Sequence, residues 1–162
     1  MIRMTKQADY GIVLMTRLAA EPERLFSAPD LADETQLPQP TVSKILKALA
    51  RAELLESHRG VHGGYALARS PEAINMAEII SALEGPIAIT ECIDDSPGEC
   101  SQEPICPVRG NWQRINVAIR TALEQIRLSE MVHPIAPQTL VTLGSMGESA
   151  GSRALSPEPA DG

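Results

Sequence analysis

Three cysteines, Cys92, Cys100 and Cys106, are the residues of this chain best suited to chemistry. They are spaced C-x7-C-x5-C, and the residues between them are mostly polar, including Asp94, Asp95, Ser96, Gly98, Glu99 and Gln102. Such a segment gives a thiol no apolar reason for burial. Soft thiolates select zinc, copper(I) or iron–sulfur clusters. Structural zinc sites use closer pairs, with about two to four residues between ligands. The wide, irregular spacing here fits a cluster better than a zinc knuckle. Redox-active thiols and incidental cysteines are the other two readings of the same spacing. An odd number of thiols leaves one over from any disulfide framework, and cytosolic thiols are held reduced. Asp94, Asp95, Glu99 and Glu103 read as a solvated acidic loop, whose charge would lower a neighbouring cluster's reduction potential.

The elements that must position these thiols are helical. The chain has 162 residues, 43% hydrophobic and 22% charged, which allows one compact domain plus an extension. Only 2% of residues are aromatic, so the core is aliphatic. No apolar run approaches the roughly 20 residues needed to span a bilayer. Arg3 and Lys6 followed by Gly11–Met15 imitate the start of a signal peptide. Arg17 interrupts that run while the apolar positions continue at helical spacing, so a cytoplasmic protein is expected.

Residues 6–20 form an amphipathic pattern with Tyr10, Val13, Leu14, Leu18 and Ala19 along one side. Glu21-Pro22-Glu23 ends it. Ser27 is a natural N-cap, with Asp30 in the capping-box position, for a second helix running to about Gln36. Leu37-Pro38-Gln39-Pro40 is a break, and Pro40 suits the first turn of a third helix. That helix turns Val42, Ile45, Leu46 and Leu49 inward and leaves Thr41, Ser43, Lys44, Lys47 and Arg51 largely elsewhere. A short helix, a tight turn and a second helix with small polar and basic exposed residues make a helix-turn-helix pattern.

A hairpin follows: a strand at 54–58, a glycine-rich turn at 59–64 and a return strand at 65–68. A hairpin directly after a recognition helix is a wing, and Arg59 at its base can enter a narrow minor groove. His58 and His62 read as wing residues. Asn75 caps a further helix through Ile79, Ile80 and Leu83 to a stop at Gly85-Pro86. After the loop at 91–110 a long helix runs from about Asn111 to Glu130. Its Trp112, Ile115, Ile119, Ala122 and Ile126 are spaced 3, 4, 3, 4, a coiled-coil stripe that points to a two-fold homodimer on palindromic double-stranded DNA.

The expected organisation is mainly α with a small β-hairpin. A winged helix-turn-helix domain covers 1–69 and a connecting helix and linker 70–90. The cysteine loop covers 91–110, a dimerisation helix 111–131 and a tail rich in Pro, Gly and Ser 132–162. Residues 1–69 hold 9 Lys and Arg against 8 Asp and Glu, and residues 70–162 hold 5 against 13. The near-neutral head can bind DNA if its basic groups share one face, whereas the acidic half is poorly suited to phosphates. There is no convincing nucleophile–base pair, phosphate-binding glycine loop or paired-carboxylate site, so no enzymatic activity is expected.

The wing sequence Arg59-Gly60-x-x-Gly63-Gly64-Tyr65, the opening Met4-Thr5-Lys6-x-x-Asp9-Tyr10 and the three loop cysteines together resemble the Rrf2 family of winged-helix regulators, over about residues 1–131. The family includes IscR-like, NsrR-like and RirA-like branches and regulators of the SUF cluster-assembly operon. The resemblance implies a homodimer whose long helix crosses towards the partner's DNA-binding domain. It puts recognition contacts on Thr41, Ser43 and Lys44, the minor-groove contact on Arg59 and cluster ligands on Cys92, Cys100 and Cys106. The IscR-like branch has a histidine ligand three residues beyond the last cysteine. Here Arg109 stands there and cannot bind iron, which counts against [2Fe–2S] chemistry of that branch. The NsrR-like branch takes an aspartate from the first helix of the other subunit, a place held here by Asp9, which would favour [4Fe–4S]. The bland role for Asp9 is an acid stabilising a helix N-terminus.

The implied function is an iron–sulfur-sensing repressor of cluster-assembly genes. The alternatives are a zinc-stabilised dimeric interaction protein and a metal-free regulator that responds through thiol redox or to nitric oxide.

Overall fold

The computed structural model of the protein describes residues 4–60, 63–90 and 106–132. In chain order its helices are α1 (Lys6–Ala20), α2 (Ala28–Thr35), α3 (Gln39–Arg51), α4 (Met76–Glu84), α5 (Arg109–Gln125) and α6 (Leu128–Met131). Between α3 and α4 lie strands β1 (Leu55–His58) and β2 (Gly64–Leu67) and a 3-10 turn, Pro71–Ala73. The architecture is mainly helical with one two-stranded antiparallel hairpin, as the periodicity predicts.

Local chemistry sets the helix ends. Thr5 caps α1 by accepting from the Ala8 N–H, and its hydroxyl and its amide each donate to Glu84 at 2.8 Å. The first turn of α1 is thereby tied to the last turn of α4. Reciprocal capping boxes, Ser27 with Asp30 and Asn75 with Glu78, open α2 and α4. The Ser27 hydroxyl and amide hold the Asp30 carboxyl below its usual range. Partial burial pushes Glu78 up, but the Arg69 guanidinium and the Asn75 N–H outweigh it and leave that carboxyl low as well.

One aliphatic core joins these elements. Leu14, Met15 and Leu18 of α1 meet Leu31 of α2 and Val42, Ile45, Leu46 and Leu49 of α3, with Phe26, Ile74 and Ile79 closing it. Val13, which the pattern puts on the buried side of α1, is 42% exposed.

Helix α5 differs most from the sequence reading. It begins at Arg109, so residues 109 and 110 are helical rather than loop, and it stops at Gln125 instead of continuing to Glu130. Tertiary pairing explains the stop. The Ile126 carbonyl accepts from Met76 N, Arg127 bridges Asn75, and Leu128 N donates to Ile74 O. The chain is drawn back onto the start of α4, and Leu128 enters the core with no exposure. The expected tail begins at this edge, and its residues from 133 lie outside the described residues.

Candidate nucleic-acid interface and cysteine site

The turn between α2 and α3 is built from Gln36, whose φ of 57° ends α2, and from Pro38, whose carbonyl accepts from Thr41 N and Val42 N. Burial of Val42, Ile45, Leu46 and Leu49 fixes the rotation of α3. Lys44, Lys47 and Arg51 are consequently exposed, while Thr41 and Ser43 are half-buried. The helix carries three basic residues and no acidic one.

The hairpin follows at once, because Leu54 N donates to Leu49 O and fastens the start of β1 to the end of α3. Leu55 pairs with Leu67 and His58 with Gly64. Arg59, next after β1, is exposed. The other edge of β2 pairs with Phe26, since Phe26 N donates to Tyr65 O at 3.0 Å and Tyr65 N to Phe26 O at 2.8 Å. Gly64 is required here: a Cβ on it would lie 2.6 Å from the Phe26 carbonyl oxygen.

Phe26 is itself held from outside. The Arg17 and Arg24 guanidinium carbons lie 4.8 and 4.3 Å from its ring centroid. Both arginines bond to Glu21 and to Glu34. The hydrogen bond from Arg17 holds the Glu21 carboxyl below its usual range. Sequence reasoning missed this cluster. Only the i, i+4 spacing of Arg17 and Glu21 signals any part of it.

The proposed cluster ligands are only partly within view. Cys92 and Cys100 lie outside the described residues, whereas Cys106 is a free, half-buried thiol three residues ahead of α5. Asp9 sits exposed in the first turn of α1. Among the described residues there is no group of three or more His, Cys, Asp or Glu side chains that could hold a metal ion.

On α5 the expected stripe is largely open. Trp112, Ile115 and Ile126 are 37%, 44% and 38% exposed, and Ile119 is half-buried. The buried side instead carries Asn116, unremarked in the sequence, whose Nδ2 donates to Ile87 O at 2.9 Å. No described helix is long and apolar enough to cross a membrane.

Comparison with known proteins covers most of this architecture. A family model described as Rrf2, iron-dependent transcriptional regulator, matches residues 4–134. The chain is 28% identical over 132 residues to the HTH-type transcriptional regulator NsrR of Shouchella clausii, covering 81% of this chain and 89% of that protein. It is 30% identical over 131 residues to the HTH-type transcriptional regulator CymR of Bacillus subtilis, covering 80% and 89%. The solved structure of CymR, described as the global cysteine regulator of B. subtilis, superposes with a TM-score of 0.64 at 29% identity, covering 82% of this chain and 97% of that one.

Proposed function

The chain belongs to the Rrf2 family of transcriptional regulators, and on that premise we propose that it is a homodimeric repressor that senses iron–sulfur status through its cysteine segment. The observation that carries the DNA-binding reading is α3, whose exposed side offers basic and small polar groups and whose end is fastened to a hairpin bearing Arg59. In this reading α3 lies in the major groove, where Thr41 and Ser43 permit close approach and Lys44 meets phosphate or a base edge. Arg59 enters the adjacent minor groove. The wing domain ends near residue 69. The helix after the cysteine loop pairs the two subunits through Trp112, Ile115, Ile119 and Ala122, with Ile126 just past its end, spacing the recognition helices for a palindrome.

The donor set suits a cluster: three thiols, Cys92, Cys100 and Cys106, with the partner subunit's Asp9 as fourth ligand. Asp9 is exposed in the first turn of α1. Asp9 favours [4Fe–4S], and [2Fe–2S] would need another fourth ligand. When bound, such a group supplies a centre that changes charge and reacts with oxygen or nitric oxide. Cys106 stands just before α5, so a change in what it ligates acts on the foot of the dimer helix. Regulation then requires that the two arrangements of the recognition helices bind the ligand with different affinity. Genes for cluster assembly are the natural target, because the machinery they encode makes the group being sensed.

The test is the visible spectrum, with iron and sulfide analysis, of protein purified without oxygen. A brown protein with sulfide, altered by Asp9→Ala, and promoter binding that ceases to follow iron supply in Cys100→Ala are the expected results. A colourless protein after reconstitution would overturn the cluster. Stoichiometric zinc would then mark the cysteines as structural. The second reading, a thiol-redox regulator, draws on the solved structure of an oxidized form of Staphylococcus aureus CymR, and it requires peroxide-dependent DNA binding with a cysteine disulfide.

A further inference from the structure

The hairpin is too short to hold its own position. Its strands are four residues each, and an isolated two-stranded hairpin is marginal in water. Its outer edge is fixed by the Phe26–Tyr65 pair, and the Phe26 ring is fully buried beneath two guanidinium groups. Those groups come from different places: Arg17 from α1 and Arg24 from the segment between α1 and α2. Glu34, on α2, accepts from both, with Arg24 at 2.9 Å. Glu21 joins them again from the end of α1. The four charges therefore close a bracket around Phe26 that spans α1, the connecting segment and the first helix of the helix-turn-helix.

We infer that Arg17 and Arg24 are positioning residues for the wing: they clamp Phe26, Phe26 holds Tyr65, and Tyr65 sets the hairpin that carries Arg59. Neither arginine needs to touch DNA. Each exposed ion pair adds little by itself, but a network that orders several side chains together, two of them over an aromatic face, holds its geometry better than an isolated pair. Removing one arm leaves the aliphatic core intact, because Phe26 keeps its inner contacts. What loosens is the edge to which the wing is paired.

The inference rests on the proposed wing contact, and its test separates the two. In Arg24→Gln, amide exchange at Tyr65 should quicken while that of Ile45 and Leu49 in α3 stays unchanged. Affinity for the operator should fall about threefold, against about tenfold for Arg59→Ala. In the Arg59→Ala background, Arg24→Gln should have no further effect, because the clamp acts only through that contact. Arg24→Lys, which keeps the charge over the ring, should recover part of the loss. Unchanged Tyr65 exchange, or an equal loss in both backgrounds, would overturn the clamp while leaving the wing contact standing. Full affinity in Arg59→Ala would remove the wing contact and the inference together.

Discussion

Gly64 and Gly11 both sit where a methyl group would collide, yet their substitution should have different costs. At Gly64 the obstacles are the backbone oxygen and carbon of Phe26, at 2.6 and 2.8 Å, and neither can move without breaking the pair with Tyr65. At Gly11 the contact is closer still, but it is with the end of the half-buried Leu83 side chain, which can turn aside where backbone cannot. Alanine also gains about 1 kcal/mol over glycine inside a helix. Gly64→Ala should therefore cost about 1–3 kcal/mol, and Gly11→Ala should fall within about 1 kcal/mol of neutral. Urea unfolding midpoints decide it, and a larger loss at Gly11 would mean that Leu83 is locked. Residues of this kind differ in how far the sequence announces them. Ser27 with Asp30 and Asn75 are readable because a cap is local chemistry. Arg24 and Phe26 are not, since the meeting of Arg24 with Phe26 and with Glu34 depends on how the chain turns between α1 and α2.

At the scale of elements, the caps that start the helices also make them acid-sensitive. Asp30, Glu78 and Glu21 all have carboxyls held below their ordinary values in the folded chain. Their contribution is fully present above the ordinary carboxylate range and is lost as pH falls through the lowered folded values. Thermal unfolding followed from neutral to strongly acid pH should show a falling limb below the ordinary carboxylate range. An Asp30→Asn, Glu78→Gln double variant should flatten it, and an identical acid limb would assign the loss to other groups. The end of α5 makes a different point. The apolar spacing from Trp112 to Ile126 contains no stop signal, so periodicity alone carries the helix to Glu130. The break comes from pairing with Ile74, Asn75 and Met76, some fifty residues earlier, which no local window contains. Leu128 is thus a core residue despite its place near the end of the described chain. Leu128→Ala should cost about 2–5 kcal/mol in chemical unfolding, whereas a loss under about 0.5 kcal/mol, usual for surface sites, would mean that it contributes nothing to the core.

For the whole molecule, the decisive question is what covers α5. Its inward side packs against α4 and is tied by the bond from Asn116 Nδ2 to Ile87 O, so Trp112 and Ile115 are left over rather than misplaced. Single exposed apolar residues are ordinary on any surface, but Trp112 and Ile115 continue through Ile119 and Ala122 as one stripe at coiled-coil spacing, with Ile126 just past the helix end. The charge distribution agrees with a division of labour. Basic groups gather on α3, while the half of the chain that carries the stripe is acidic and poorly suited to lie along phosphates. A single winged domain has few basic contacts to offer, and two held at a fixed spacing gain affinity because the second binds at high effective concentration. Ile115→Glu puts a charge into the stripe without touching the core, since Ile115 is 44% exposed in the single chain. Its secondary structure and domain unfolding should stay close to the parent's, while sedimentation should report a monomer and operator affinity should drop by about two orders of magnitude. A half-site probe should lose almost nothing, because each wing and recognition helix is unchanged. If instead the variant sediments like the parent, the stripe is not the subunit contact that the proposed dimer requires.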